Sequence, residues 1–254
     1  MGVNGGGGPA APAGGAAPER PDGPEELRRR LVLALDFDDS VVALRWAARL
    51  KGSFGVAKVG LELFSASGPS VVAALVEGGF QVFIDLKLAD IPTTTRKAAR
   101  VLGALGATYL TVHVSAGPSS LRAGVEGFAE GAERGGLPAP VTLGVTILTS
   151  ETEAPPQLLR ARFQAAAEAG CGGIVCAARD LAEARTEAPH LLTVVPGIRL
   201  AGKGTHDQAR AATPGEAARA GADLLVIGRA VIEAADPESA AEEILADLAS
   251  VRAR

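Results

Sequence analysis

Two opposite charges, Asp85 and Lys87, stand at the end of an otherwise apolar run, Gln81–Leu86. Asp36 and Lys58 close two earlier runs of the same kind, and Asp90 follows shortly after Lys87. A charge in an apolar strand is costly unless it is paired. Residues two apart on a strand share a face, so Asp85 and Lys87 are expected on one side of theirs. An ammonium beside carboxylates keeps its charge when partly desolvated, because opposite charge favours the ionised form. It can then stabilise negative charge developing on a neighbouring atom and hand that atom a proton. The plainer reading of any one pair is a buried ion pair that holds the fold. Four such charges at three consecutive run ends argue instead for a site.

A second constellation suits an anion. Pro196-Gly-Ile-Arg199 and Gly228-Arg229 close two later runs. Glycine lets backbone N–H groups approach closely, and arginine offers a two-pronged, charge-assisted fork. The polar, Gly-containing loop Leu200–Ala212 includes Gln208 and has the composition of a loop that closes over a ligand. Without the arginines it would read as ordinary surface. Thr149 and Ser150 end a further run.

The elements that must position these residues alternate along the chain. Apolar runs at Leu31–Phe37, Phe54–Val59, Gln81–Leu86, Tyr109–Val114, Val141–Leu148, Gly173–Cys176, Leu191–Pro196 and Asp223–Ile227 read as strands. They are apolar nearly throughout, as expected when both sheet faces are covered. Between them lie helical stretches at Ser40–Leu50, Ser70–Glu77, Thr94–Leu105, Ser119–Glu133, Pro156–Ala169, Asp180–Glu187 and Thr213–Ala220, and Ala240–Val251 closes the chain. Gly79, Gly106, Gly170 and Gly221 stand just before strands, where helices stop. Eight β-then-α units predict a single-domain (β/α)8 TIM barrel over residues 25–254, with chemistry at the C-terminal ends of the strands and phosphate sites after strands seven and eight. A doubly wound sheet is the alternative, but no dinucleotide fingerprint supports it. Gly5–Gly8 follows no strand and is no phosphate loop.

Composition narrows the partners. The 254 residues carry 25 Lys+Arg and 29 Asp+Glu, a formal net charge of -4, which suits neither nucleic acid nor an anionic membrane surface. No apolar run reaches the roughly 18–20 residues of a membrane span. The low aromatic content, 4%, gives no stacking platform for single strands. Met1–Pro24 holds eight Gly, five Pro and five Ala and is expected to be a disordered tail without a secretory leader. Two cysteines, Cys171 and Cys176, make no disulfide scaffold, and no His/Cys spacing suggests zinc. His113, at the end of a strand, reads as a hydrogen-bonded barrel residue, His190 and His206 as loop residues, and Trp46 as a helix residue on the barrel wall. A cytoplasmic protein is the expectation.

The motifs carry a resemblance. Asp85-Leu-Lys87-Leu-Ala-Asp90-Ile91-Pro-Thr-Thr94 resembles the Asp-x-Lys-x-x-Asp-Ile-x-x-Thr signature of the orotidine 5'-phosphate decarboxylases. Leu-Ala-Leu-Asp36-Phe, Lys58-Val-Gly, Leu-Thr149-Ser150, Pro196-Gly-Ile-Arg199, Asp-Gln208 and Ile-Gly228-Arg229 look like further elements of that family, in the same order. The likeness runs from about Leu31 to Val231. Ala89 and Thr93 stand where bacterial members often carry His and Asn.

The resemblance implies conversion of orotidine 5'-monophosphate to UMP and carbon dioxide, the last step of de novo pyrimidine synthesis, without metal or organic cofactor. Lys87 would protonate C6 of the pyrimidine, and Asp85 would sit against the departing carboxylate. Lys58 and Asp36 would contact the ribose and orient the network. Asp90 and Thr94 would reach into the other subunit's site in a homodimer, with Ile91 between them among the substrate-contacting residues. Thr149 and Ser150 would read the pyrimidine edge. Gln208, Gly228 and Arg229 would hold the phosphate, with Pro196 and Arg199 beside it. The alternatives are a metal-dependent sugar-phosphate decarboxylase or aldolase of the same barrel superfamily and a non-catalytic nucleotide-binding barrel. The first wants an acidic metal ligand where Lys58 stands, and Glu62 is a weak substitute.

Overall fold

The computed structural model describes residues 23–147, 155–200 and 212–251. In chain order the elements are α1 (Pro24–Arg29), β1 (Leu31–Leu35), α2 (Ser40–Leu50), β2 (Val56–Gly60), α3 (Leu61–Ser67), α4 (Pro69–Glu77), β3 (Gln81–Leu88), α5 (Pro92–Gly103), β4 (Tyr109–His113), α6 (Pro118–Arg134), β5 (Val141–Val145), α7 (Pro156–Glu168), β6 (Gly173–Val175), α8 (Leu181–Glu187), β7 (Leu192–Pro196), α9 (Pro214–Ala220), β8 (Leu224–Ile227), α10 (Arg229–Ile232) and α11 (Pro237–Ala249). Each strand pairs in parallel with the next, and β8 returns to β1 with Leu33 opposite Ile227. The sheet therefore closes as the expected (β/α)8 barrel. Among the described residues no helix is long and apolar enough to cross a membrane.

Both faces of the strands are mostly apolar, yet they pack into different layers. Leu31, Leu33 and Leu35 of β1 belong to the large cluster between barrel and helices. Val32 and Ala34 point the other way and meet Val56, Phe83, Tyr109, Leu143, Val194, Leu224 and Val226 inside the barrel. This two-residue parity decides where each strand-end residue goes. Asp36 continues the inward series of β1, Lys58 that of β2 and Asp85 that of β3.

Several boundaries differ from the sequence-based expectation, four of them for one reason. Helices expected to start at Ser70, Thr94, Ser119 and Ala240 begin at Pro69, Pro92, Pro118 and Pro237. Proline lacks an N–H that the first helical residue would leave unpaired anyway, and its fixed φ suits that position. The strand expected from Phe54 starts at Val56, because Gly55 N–H donates to Arg28 O at 2.8 Å and turns the chain into the sheet. Gly79, Gly170 and Gly221 do stand at helix ends, with left-handed φ of 81°, 83° and 104°, and Gly106, at φ 82°, turns the chain three residues beyond α5. Of the expected tail, Pro24 opens α1, and residues 1–22 lie outside the described part of the chain.

Polar ties lock the ring of elements. At the base, Asp223 accepts hydrogen bonds from Arg185 (2.6 Å), Thr193 N (2.8 Å) and Thr193 Oγ1 (2.9 Å), which joins α8, β7 and the start of β8. Arg49 on α2 grips Glu238 on α11 with two hydrogen bonds, so the first and last large helices are tied. Helices α5 and α6 pack at backbone contact. A Cβ at Gly127 or Gly131 would run into the carbonyl oxygen of Arg96 or Arg100. That contact fixes α5, which begins just after Asp90.

Candidate active site

A cavity of about 300 Å³ opens at the C-terminal end of the barrel. Its floor is apolar and made by inward strand residues, among them Ala34, Phe83, Val145, Val175, Val194 and Val226. Asp36, Lys58, Asp85 and Lys87 form one wall, and Pro196, Gly197, Arg199, Gly228 and Arg229 form another. Charges of both signs thus face an apolar floor. There they interact more strongly than in water.

The four charges form a chain. Lys58 Nζ donates to Asp36 Oδ1 at 2.9 Å and lies 3.8 Å from Asp85 Oδ2. Lys87 Nζ donates to Asp85 Oδ1 at 2.8 Å. Exposure falls toward the centre: the side chains are 58% exposed at Asp36, 10% at Lys58 and 16% at Asp85, and Lys87 reaches out to 33%. Gly60 makes room for the first pair, since a Cβ there would stand 3.0 Å from Asp36 Oδ1 and 3.1 Å from Lys58 Nζ.

Lys87 reaches Asp85 by an unexpected route. Simple alternation would put both on one side of a regular strand. Instead the β3–β4 register shifts between Ile84 and Leu88, and Lys87 has φ 49°. The buried hydroxyl of Thr111 accepts the Lys87 N–H at 2.9 Å and sits 3.1 Å from Asp85 Oδ1. Sequence reasoning missed Thr111. The available signal was parity, because Thr111 is the polar inward residue of β4, two after Tyr109.

The Asp90 segment lies apart from this network. Ala89, Asp90, Ile91, Pro92, Thr93 and Thr94 are all exposed, Ile91 by 66%, and none of them lines the cavity. The Asp90 carboxylate accepts the Ile91 N–H at 2.6 Å. Its backbone carbonyl accepts Ser120 Oγ (2.6 Å) and Thr95 Oγ1 (3.1 Å), so the turn is held from two helices.

On the opposite wall, Arg199 is 8% exposed, and its N–H donates to Ala212 O at 3.0 Å. Gly228 packs against Ala34, and Arg229 begins the short helix α10. Thr149, Ser150, Gln208 and His206 lie outside the described residues. His113 Nδ1 accepts the Ser115 N–H at 3.2 Å and lies 2.6 Å from Ser115 Oγ at the end of β4, outside the cavity lining. His190 is exposed in a turn. Trp46 stacks on Phe37 at 6.3 Å under the Arg49 guanidinium. Burial pushes the Cys171 and Cys176 thiols up to about 12, which keeps them protonated and unreactive. Among the described residues no three His, Cys, Asp or Glu side chains converge to hold a metal ion, and Glu62 is exposed on α3.

A cavity with a Lys–Asp relay on one side and two arginines on the other can hold an anionic molecule at one end and deliver a proton at the other. Known proteins are similar to this chain over most of its length. An orotidine 5'-phosphate decarboxylase from Anaeromyxobacter sp. (strain K) is 44% identical over 222 residues, covering 86% of this chain and 98% of that protein. One from Cutibacterium acnes is 40% identical over 227 residues, covering 86% and 95%. The crystal structure of orotidine 5'-phosphate decarboxylase from Lactobacillus acidophilus superposes with a TM-score of 0.74 at 30% identity, covering 87% of this chain and 99% of that one. Residues 29–244, which hold every wall residue of the cavity, match the family as a whole, and by that match the chain belongs to the orotidine 5'-phosphate decarboxylase / HUMPS family.

Proposed function

We propose that this chain decarboxylates orotidine 5'-monophosphate to UMP and carbon dioxide, the closing step of pyrimidine nucleotide synthesis. The observation that carries the reading is the Lys87 ammonium, held 2.8 Å from Asp85 at the rim of an apolar-floored cavity whose far wall bears Arg199 and Arg229. In the reaction the C6–carboxylate bond breaks and both its electrons stay on C6. No ring orbital accepts that pair, so a fixed positive charge must stabilise it. Lys87 supplies the charge and then the proton, forming the C6–H bond, and solvent returns a proton to its amine. Asp85 orients Lys87 and faces the leaving carboxylate. Lys58 and Asp36 hold the ribose side. Arg229, Gly228 and Gln208, with Pro196 and Arg199, take the phosphate, and Thr149 and Ser150 the pyrimidine edge. Phosphate binding far from C6 can drive closure over the substrate and so act on the barrier rather than on affinity alone.

The metal-dependent sugar-phosphate chemistry of the same superfamily fits less well. The Lys58 ammonium occupies the space between the Asp36 and Asp85 carboxylates, where its charge would repel a divalent cation. The homodimer belongs to the proposal too. Asp90, Ile91 and Thr94 form an exposed but braced rim, suited to insertion into a partner copy's site. Two buried, protonated thiols suit a reducing, cytoplasmic setting.

The test is loss of orotidine monophosphate absorbance with purified protein in excess chelator. Turnover is expected to persist there and to vanish in Lys87→Ala while UMP still binds. A Lys87→Ala variant keeping a tenth of wild-type kcat would contradict the role given to Lys87.

A further inference from the structure

We propose that Thr111 is a positioning residue for the proton-delivering pair, setting both the backbone of Lys87 and the carboxylate of Asp85 without touching substrate. The inference rests on the reading of Lys87 as the proton donor. Between the paired positions Ile84↔Leu110 and Leu88↔Val112, three residues of β3 (Asp85, Leu86 and Lys87) face the single residue Thr111 of β4. Such a bulge interrupts the ladder and re-aims side chains. Here it would leave the Lys87 N–H without its regular strand partner. The Thr111 hydroxyl takes that N–H at 2.9 Å. Its own proton has two acceptors in reach, Asp85 Oδ1 at 3.1 Å and Ile84 O at 3.5 Å. The carboxylate is nearer and charged, so the hydroxyl donates there. One fully buried oxygen thereby couples the conformation of Lys87 to the orientation of Asp85. Thr111 is absent from the cavity lining, so its effect on substrate passes through those two residues.

Thr111→Val keeps the shape and removes both bonds. Its kcat is expected to fall about 100-fold, the order that a misplacement of about 1 Å at a reacting group costs. KM and UMP affinity should stay within about threefold, because no substrate contact is lost. Thr111→Ser restores the hydroxyl and should recover kcat to within a few-fold of wild type. A parallel fall of kcat in Thr111→Ser, or a rise of KM matching the fall of kcat in Thr111→Val, would overturn the proposal. Crystal structures of wild type and Thr111→Val provide the readout that does not depend on turnover. Lys87 is expected to leave its left-handed φ, or Nζ to leave Asp85, in the variant, and an unchanged geometry would refute the positioning role. An inactive wild type would sink the decarboxylase reading, and the crystal structures would still decide the role of Thr111.

Discussion

Lys87 sits where the backbone would prefer glycine, and that makes its stability cost measurable. Among the described residues it is the one non-glycine with a left-handed φ, 49°. An L-residue there pays about 1–2 kcal/mol. Glycine escapes that strain but gives back about 0.4–1 kcal/mol through its freer unfolded chain. Lys87→Gly should therefore fold about 0.5–1 kcal/mol more stably than Lys87→Ala. At about 2–4 °C per kcal/mol for a domain of this size, the glycine variant melts about 1–4 °C higher. Both variants lose the ion pair to Asp85, whose lysine is 33% exposed. Such a half-screened pair is worth about 1 kcal/mol. Asp85 keeps Lys58 at 3.8 Å and Thr111 at 3.1 Å, so no buried carboxylate is stranded. Lys87→Ala should then lie about 1 kcal/mol below wild type and Lys87→Gly close to it, with both inactive. Urea unfolding of the three proteins, compared at equal m-values, measures the order. Lys87→Ala as stable as Lys87→Gly would show that the left-handed backbone at Lys87 stores no strain.

Three further outcomes follow from the geometry. Mixed Lys87→Ala and Asp90→Ala subunits should regain part of the activity that each lacks alone if the exposed Asp90 rim completes a partner's site, and subunit exchange without rescue would refute sharing. Gly60→Ala puts a Cβ about 3.0 Å from the Asp36–Lys58 pair, so steady-state kinetics should show KM for orotidine monophosphate raised about tenfold with little change in Tm, because that pair must part by tenths of an ångström. The Cys176 thiol is pushed up to about 12 by burial from an ordinary 9.0. A protonated thiol favoured in the folded state contributes stability that is whole below pH 9 and is lost as pH rises toward 12. Wild type should therefore lose Tm more steeply than Cys176→Ala across that window, and parallel curves would refute the assignment.

The barrel was legible because eight apolar runs alternate with helical stretches, and the stop signals at Gly79, Gly106, Gly170 and Gly221 are glycines for a conformational reason. The helix starts were less legible, because proline reads as a breaker until its tolerance at the first helical position is applied to Pro69, Pro92, Pro118 and Pro237. The short helices α3 and α10 carry no apolar periodicity long enough to register. In the site, charge type and run end were enough to gather Asp36, Lys58, Asp85 and Lys87; strand parity explains why the first three converge, and the bulge brings Lys87 to them. Thr111 escaped notice because a threonine in a β-rich run looks like any strand former. The bulge escaped because Ile-Asp-Leu-Lys contains neither glycine nor proline to mark it.

The bulge in β3 has a physical meaning. A regular β3 would satisfy local preference at every residue, and its side chains would alternate past the cavity without tuning. The chain instead spends two residues on a bulge, places a lysine in left-handed backbone and buries a threonine hydroxyl to hold it. None of these choices favours the fold by itself, and each moves the Lys87 ammonium relative to Asp85. Strain kept at one position and braced from the neighbouring strand is expected where geometry at a reacting group matters more than stability. By contrast Lys58, two residues into its inward series on a regular strand, needs no such device, because its partners Asp36 and Asp85 already lie on the flanking strands. With Lys87 as the proposed proton donor, the two lysines differ as one aimed by its backbone and one held by its ion pairs alone.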